Sequence, residues 1–422
     1  MTSVSINNTK IKRAVKNSWL DKLAKKIVFS AFSNLRFGRL VVDDNDQIQA
    51  FGDQNPNCEL VGHIHVHHPS VYRDFLMNGS IGCGEAYMRG TWSSPNLLNV
   101  VRLFCKNIDS LNRFDNSRPL IGRLPSKFFH LFNANTLTGS RKNISAHYDL
   151  GNNFFKLFLD SRMMYSAAIY PSADTKLEEA AVYKLDVLCK KLRLNEDDHL
   201  LEIGTGWGGL AIHAARHYGC KVTTTTISQE QYNHAKESVI EAGLENKVKV
   251  LLQDYRELQG TYSKLVSVEM IEAVGHQHYK EYFSTCSKLL EADGLMCIQA
   301  ITIPDQRYDQ AIKSVDFIQR YIFPGGCLPS NEVISRCVAR YTDMQIVGLE
   351  DIGMDYARTL ADWRKGFEAN LERVKTLGFD DVFCRMWEFY LCYCEGGFRE
   401  RAISTVHVVM AKPDARKIEP LT

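Results

Sequence analysis

The residues best suited to chemistry in this 422-residue chain lie in its second half. The run LLEIGTGWGG (200–209) sets Gly204, Gly206 and Gly208 at alternate positions behind an acid, Glu202. Glycine carries no Cβ, so a strand-to-helix turn built this way can pass close to a bound molecule. A nicotinamide dinucleotide is the obvious rival occupant. Its fingerprint needs an acid about twenty residues on, at the end of the second strand, to hold a ribose. Here the second strand ends TTTTIS (223–228), with no acid. Gln253 and Asp254 follow the third strand, where a carboxylate can accept a hydrogen bond from an adenine amino group. Glu272, in MIEAVG, is an acid in a largely apolar run. An unpaired buried carboxylate is costly, so it needs a partner or a raised pKa; the plain alternative is a strand-end acid capping the next turn. Glu269 lies near the same site, with no role beyond shaping the charge there. His276 and His278 read as a solvated helix start in preference to a proton relay.

Other reactive side chains carry less. His63, His65 and His67 in GHIHVHH share one strand face. No further set at ligand spacing accompanies them, so a solvated or packed face is expected. Cys392 and Cys394 stand two apart, poor spacing for zinc, and no metal is expected. The 12 cysteines are scattered, many in apolar runs, which suits reduced thiols. A formal net charge of +2 provides no global field for nucleic acid, and none is expected as a partner. No apolar run approaches the ~20 residues that span a bilayer, and no signal peptide is visible. The expected location is cytoplasmic, with any membrane lipid approached peripherally from the inner face.

The elements that must position these residues are legible as two regions. From about residue 176, apolar strands alternate with helices of ten to fifteen residues: HLLEIGT, GLAIHAARHY, KVTTTTIS, the helix 228–243, VKVLLQD, KLVSVEM, the helix HYKEYFSTCSKLLEAD, GLMCIQAITI, QIVGLEDI and VHVVMAKP. Such alternation predicts βαβ units and a mostly parallel, doubly wound α/β sheet, with ligands at the carboxyl ends of its strands. Ser228 and Gln231 form a capping box for the helix 228–243. Residues 37–75 predict short strands, and GSIGCGEAYMRGTW (79–92) a glycine-rich connection into a helix near Pro95. Residues 10–36 predict a helix on which Lys12, Arg13, Lys16, Lys22, Lys25 and Lys26 alternate with Trp19, Leu20, Leu23, Ile27 and Phe29. Such a helix either docks on anionic lipid or packs its apolar stripe on its own domain. A polar stretch at 110–140 marks the boundary between an N-terminal domain (1–130) and a catalytic domain (131–422).

LLEIGTGWGG also fits, position by position, the first motif of class I S-adenosylmethionine-dependent methyltransferases. Further segments resemble one family, the cyclopropane-fatty-acyl-phospholipid synthases and fatty-acyl C-methyltransferases: SAHYDLGNNFFKLFLD (145–160), MMYSAAIY (163–170), TTISQEQ (225–231), LLQDYREL (251–258), VSVEMIEAVG (266–275), YIFPGGCLPS (321–330) and GFRERAI (397–403). GEAYMRGTW (84–92) resembles the family's accessory domain. The resemblance implies a seven-stranded class I methyltransferase sheet with helical insertions, plus a smaller α+β N-terminal domain. It implies S-adenosyl-L-methionine as cofactor, with Tyr165 and Ser166 near its methionine part, Gly204 and Gly206 lining it, Thr226 and Gln231 at the ribose and adenine, and Asp254 and Tyr255 beside the base. It also implies a bound bicarbonate as base, held by the backbones at Ala167 and Ile301 and by Glu272, Gln299 and Tyr356. Two positions depart from the family: Ala167 stands for Cys and Gln299 for His. Gln299 donates and accepts but cannot become a cation, which weakens the case for bicarbonate and for ring closure while leaving methyl transfer intact.

The function so implied is C-methylation of the double bond of an unsaturated phospholipid acyl chain, through a carbocation, to a cyclopropane or a methyl-branched product. Trp363, Phe367, Trp387, Phe389 and Tyr393, on late helices (359–400), are expected to build an acyl channel. The rival readings are an amine N-methyltransferase, which the amphipathic N-terminus and the accessory domain oppose, and a non-catalytic lipid-binding protein, which the intact glycine motif and Glu272 oppose. A homo-oligomer is left open.

Overall fold

The computed structural model describes residues 18–111 and 150–416. The boundary expected between residues 130 and 131 and the basic residues before 18 lie outside them. The larger sheet contains β5 (His199–Ile203), β6 (Lys221–Thr226), β7 (Val248–Leu252), β8 (Tyr262–Val268), β9 (Leu290–Thr302), β10 (Gln345–Asp351) and β11 (Ser404–Ala411). Its order is β10-β11-β9-β8-β5-β6-β7. Ladders between β9, β8, β5, β6 and β7 are parallel; β11 is antiparallel to both its neighbours. The doubly wound α/β expectation therefore holds. The strand order reverses at β5, with β6 and β7 laid down to one side and β8 and β9 to the other, so the crevice at its carboxyl end falls where Gly204–Gly208 begin.

The second, smaller sheet is β2-β1-β3-β4, built from β1 (Arg39–Asp44), β2 (Gln47–Gly52), β3 (Val61–Val66) and β4 (Trp92–Ser93). Along β3, Gly62, Ile64 and Val66 turn inward. His63, His65 and His67 fall on the opposite face, His65 beside Asp43 (3.3 Å) and His67 on the Ser93 hydroxyl (2.7 Å). Helix Trp19–Phe32 buries Ala24, Val28, Ala31 and Phe32. Trp19 is 71% exposed, and Leu20 and Leu23 also face solvent. The helix thus has one packed stripe and a second apolar stripe left outside.

Two expectations are corrected. The glycine-rich run 79–88 is the second half of helix Val71–Met88, kinked at Gly79, and not an open connection. Its glycines serve close packing. A Cβ on Gly82 would stand 2.0 Å from the Asp74 carbonyl oxygen, and one on Gly84 would stand 2.4 Å from the Phe317 ring. The helix expected through residue 293 also stops earlier, at Leu289, because β9 begins at Leu290.

Helices Gly353–Ala369 and Asp381–Arg399 pack on each other and carry the small sheet's helices against the large domain. Tyr87 donates to Glu388 (2.9 Å), Arg102 pairs with Glu400 (2.7 Å), and Gly396 admits Val101. A single aromatic-rich core, from Phe32 and Trp92 to Trp363 and Trp387, runs through both domains.

Candidate active site

The turn after β5 is tied to β6 by the amides of Gly204 and Thr205, both donating to the Thr225 carbonyl (3.0 and 3.1 Å). Gly204, Gly206 and Gly208 have φ of 100°, 53° and 95°, a region glycine enters without steric cost. Their uses differ. Gly204 and Gly206 line a large cavity, whereas Gly208 sits 3.2 Å (from an added Cβ) from Ala235 and lets two helices approach. Asn152, from the LGNN segment, accepts from the Trp207 indole (2.7 Å) and so fixes the far side of the turn. Glu202 is buried beneath it and accepts from the Thr224 hydroxyl (2.6 Å); burial pushes its pKa up to about 8.

The other residues expected at the cofactor surround this turn. Tyr165, Ser166, Thr226, Gln231, Asp254 and Tyr255 all line the same cavity. Ser228 caps helix Gln229–Glu241 by accepting from the Gln231 amide (3.3 Å). The reciprocal half of the expected capping box is absent: the Gln231 side chain accepts from Thr226 Oγ1 instead (2.9 Å). Asp254 is gripped by a fork from Arg256 (2.8 and 2.7 Å), which fixes the orientation of this buried acid beside Tyr255. Two exposed-backbone glycines, a buried hydroxyl–amide pair and an acid–aromatic pair fit an adenosyl group: apolar faces for the base, polar groups for its edge and ribose.

Beyond the turn, the cavity, of about 2010 Å³, continues between the domains. Glu269, Glu272, Ile301 and Tyr356 line it at one end, Phe389, Tyr390 and Tyr393 along its wall, and Phe32, Phe75 and Phe104 of the small domain at the other. Of the aromatics expected in a channel, Phe389 and Tyr393 face the cavity, while Trp363, Phe367 and Trp387 are buried in the core behind it.

The residues expected around a bicarbonate divide into two groups. Glu272 Oε1 accepts from the Ile301 amide (2.5 Å), and its Oε2 is buried with no hydrogen-bond partner among the described residues. Burial, reinforced by the neighbouring charge of Glu269, pushes Glu272 up to about 8. The FPGGC segment folds over it, the Cys327 amide donating to the Glu272 carbonyl (2.7 Å). The remaining three residues converge on Glu269. The Ala167 amide (2.8 Å) and Gln299 Nε2 (2.7 Å) donate to its Oε1, and the Tyr356 hydroxyl (2.8 Å) to its Oε2. Gln299 is wholly buried, so it reaches the cavity only through Glu269. With their donors engaged by a carboxylate of the chain itself, these residues do not fit a bicarbonate ion.

Two functional candidates were thus underrated or overlooked in the sequence. Glu269 carried one available signal, its acid type three residues before Glu272. Lys184 carried none: it lies fully buried inside a helix, donates to Ser166 Oγ (2.9 Å), and is brought down to about 8 by burial against the opposing pull of Glu269, Asp160 and Glu202. His276 and His278 form a short turn before helix Tyr279–Leu289, His278 near Glu281 (3.4 Å). No group of three His, Cys, Asp or Glu among the described residues could hold a metal.

Comparison with known proteins agrees with this architecture. The profile of the family described as mycolic acid cyclopropane synthetase matches residues 135–408. A tuberculostearic acid methyltransferase of Mycobacterium tuberculosis is 37% identical over 369 residues, 86% of this chain and 84% of the relative. The cyclopropane-fatty-acyl-phospholipid synthase of Escherichia coli K12 is 35% identical over 353 residues, 83% of this chain and 87% of the relative. Among solved structures, the mycolic acid cyclopropane synthase CmaA1 complexed with SAH and CTAB superposes with a TM-score of 0.61 at 31% identity, covering 64% of this chain and 98% of that one.

Proposed function

The chain belongs to the mycolic acid cyclopropane synthetase family and is an S-adenosylmethionine-dependent methyltransferase, and from that premise we propose that it transfers a methyl group to a double bond in an unsaturated acyl chain of a phospholipid. The observation that carries this reading is the continuity of one cavity from the glycine turn, past two carboxylates, to an aromatic wall supplied by both domains. An amine substrate would need neither that length nor that apolar lining.

S-adenosylmethionine, when bound, supplies an electrophilic methyl group on a sulfonium. Gly204, Gly206, Thr226, Gln231, Asp254 and Tyr255 would hold it, with Tyr165 and Ser166 at its methionine end. An alkene is a weak nucleophile, so the protein must align it along the S–CH3 axis. The apolar walls at Phe389, Tyr390 and Phe398 hold the chain in register and keep water from the cation formed on attack. The Tyr165 and Tyr390 hydroxyls pair with each other (2.8 Å), so the polar ends of these two lining residues are engaged together.

The acyl chain would enter from a bilayer surface. Trp19, Leu20 and Leu23 stand exposed on helix Trp19–Phe32, with Ile48 of β2 also exposed and Lys22 and Lys26 beside them. Apolar side chains ringed by lysines suit an anionic membrane. No helix among the described residues is long and apolar enough to cross a membrane.

The test is direct. Purified protein, methyl-labelled S-adenosylmethionine and dioleoyl phosphatidylglycerol vesicles are expected to give labelled acyl chains about 14 mass units heavier, one CH2. Label appearing only in a panel of amines, with none in any unsaturated lipid, would reject the reading.

A further inference from the structure

We propose that Glu269 is the general base of this enzyme, a carboxylate carried by the chain in the position where a bicarbonate ion would otherwise be bound. The inference rests on the acyl methyl-transfer reading above. Three donors on three different elements converge on Glu269: the Ala167 amide from the segment before helix Leu177–Lys191, Gln299 from β9, and Tyr356 from helix Gly353–Ala369. A carboxylate and a bicarbonate are both planar anions presenting oxygens, so one donor set satisfies either, and here the chain provides its own. Two further features show that the arrangement is built and held.

First, Glu269 has φ of 47°. A glutamate adopts this left-handed backbone only where its surroundings fix it, and such strain collects at functional sites. Its amide donates to the Gln299 carbonyl (2.7 Å), and that bond with the three side-chain contacts holds it.

Second, Gln299 is oriented from behind. His407, on β11, meets its Oε1 (2.9 Å), and Lys191 Nζ meets His407 Nδ1 (2.8 Å). A lysine donating to Nδ1 leaves the imidazole proton on Nε2, so His407 donates to the amide oxygen and turns the amide NH2 towards Glu269. The contact from Gln299 Nε2 to the Ala167 carbonyl (3.2 Å) requires the same orientation. His407 and Lys191 are therefore positioning residues.

Glu272 has a different part. Burial raises both carboxyls, but three donors favour the ionised form of Glu269 against one for Glu272, so of the pair Glu269 gives up its proton the more readily and Glu272 holds it. The alkene π pair forms the bond to the methyl carbon, and the sulfonium leaves with its bonding pair as a thioether. The resulting cation loses one C–H proton to a Glu269 carboxylate oxygen, and the C–H pair closes a cyclopropane if the hydrogen was on the new methyl, or an alkene if it was on an adjacent carbon. The proton passes to water when the product leaves.

The test uses the full chain, labelled S-adenosylmethionine and dioleoyl phosphatidylglycerol vesicles. Wild-type enzyme is expected to turn over equally in carbonate-stripped buffer and with added bicarbonate. Glu269→Gln is expected to lose turnover by ~100-fold or more, the scale of general-base catalysis, while binding S-adenosylhomocysteine as wild type does in a calorimeter. Glu269→Gly relaxes the backbone and opens the cradle, so added bicarbonate or formate is expected to restore part of its turnover and none of that of Glu269→Gln. A wild-type enzyme that requires bicarbonate overturns the assignment, and so does a folded Glu269→Gln with wild-type turnover. A wild-type enzyme inert towards every unsaturated lipid overturns the functional reading, and the base with it.

Discussion

A methyl group added at Gly206 tests the cofactor turn with little else disturbed. Gly206 has φ of 53°, and a Cβ built on it meets no protein atom within 4 Å, because it projects into the cavity the residue lines. Gly206→Ala therefore costs the fold only the left-handed backbone strain, about 1–2 kcal/mol. The same methyl stands where an adenosyl group must approach the backbone, and relieving such a clash costs about 1–3 kcal/mol of binding, a loss of about 5- to 150-fold in affinity. Gly208→Ala is the control from the same turn. It has φ of 95° and its Cβ would lie 3.2 Å from that of Ala235, so its cost falls on helix packing, away from the cavity. Thermal unfolding and calorimetric titration with S-adenosylhomocysteine separate the two. Gly206→Ala is expected to melt slightly early and bind poorly, Gly208→Ala to melt earlier and bind better than Gly206→Ala. Wild-type affinity in Gly206→Ala, or the reverse order of affinities, would refute the placement of the cofactor against this turn.

Three other outcomes follow from the packing and the charges. Gly84→Ala forces a Cβ to within 2.4 Å of the Phe317 ring and 3.1 Å of Phe389, and is expected to cost about 1–3 kcal/mol; thermal melting and faster proteolysis of the N-terminal domain would report it. Glu272 holds its proton more tightly folded, at about 8, than at its ordinary 4.5. The stability it confers is thus full below pH 4.5 and lost as pH rises through 8, so the wild-type melting temperature is expected to fall across that window relative to Glu272→Gln, and parallel curves would contradict this. Replacing Trp19 by Ala with Lys22→Glu and Lys26→Glu is expected to abolish sedimentation with anionic vesicles, each lysine near the surface being worth about 1 kcal/mol; unchanged, salt-insensitive binding would remove this helix from the membrane face.

The sheet and its cofactor turn were legible because each signal is local. Strand and helix periods alternate from residue 176 onward, and the three glycines announce a turn by themselves. Glu272 was legible through the family motif that VSVEMIEAVG resembles. Glu269 was not, because its chemistry comes from partners 102, 30 and 87 residues away in the chain. No spacing rule links Ala167, Gln299 and Tyr356 to it; only the folded sheet does. The resemblance grouped those three positions with Glu272 and Ile301 around a bicarbonate, whereas in the structure the three converge on Glu269. The glycines of 79–84 misled in the opposite sense: an open turn and a tightly packed helix both favour a missing Cβ, and the partner that distinguishes them, Phe317, is more than two hundred residues distant.

β11 is threaded between β9 and β10, and it carries His407. The amide that faces Glu269 is thus steered by the strand synthesised after every other strand of the sheet. A chain clipped short of residue 404 lacks His407 and with it the contact that turns the Gln299 amide towards Glu269. The orientation of the proposed base's partner is thus set by the most C-terminal of the sheet's strands.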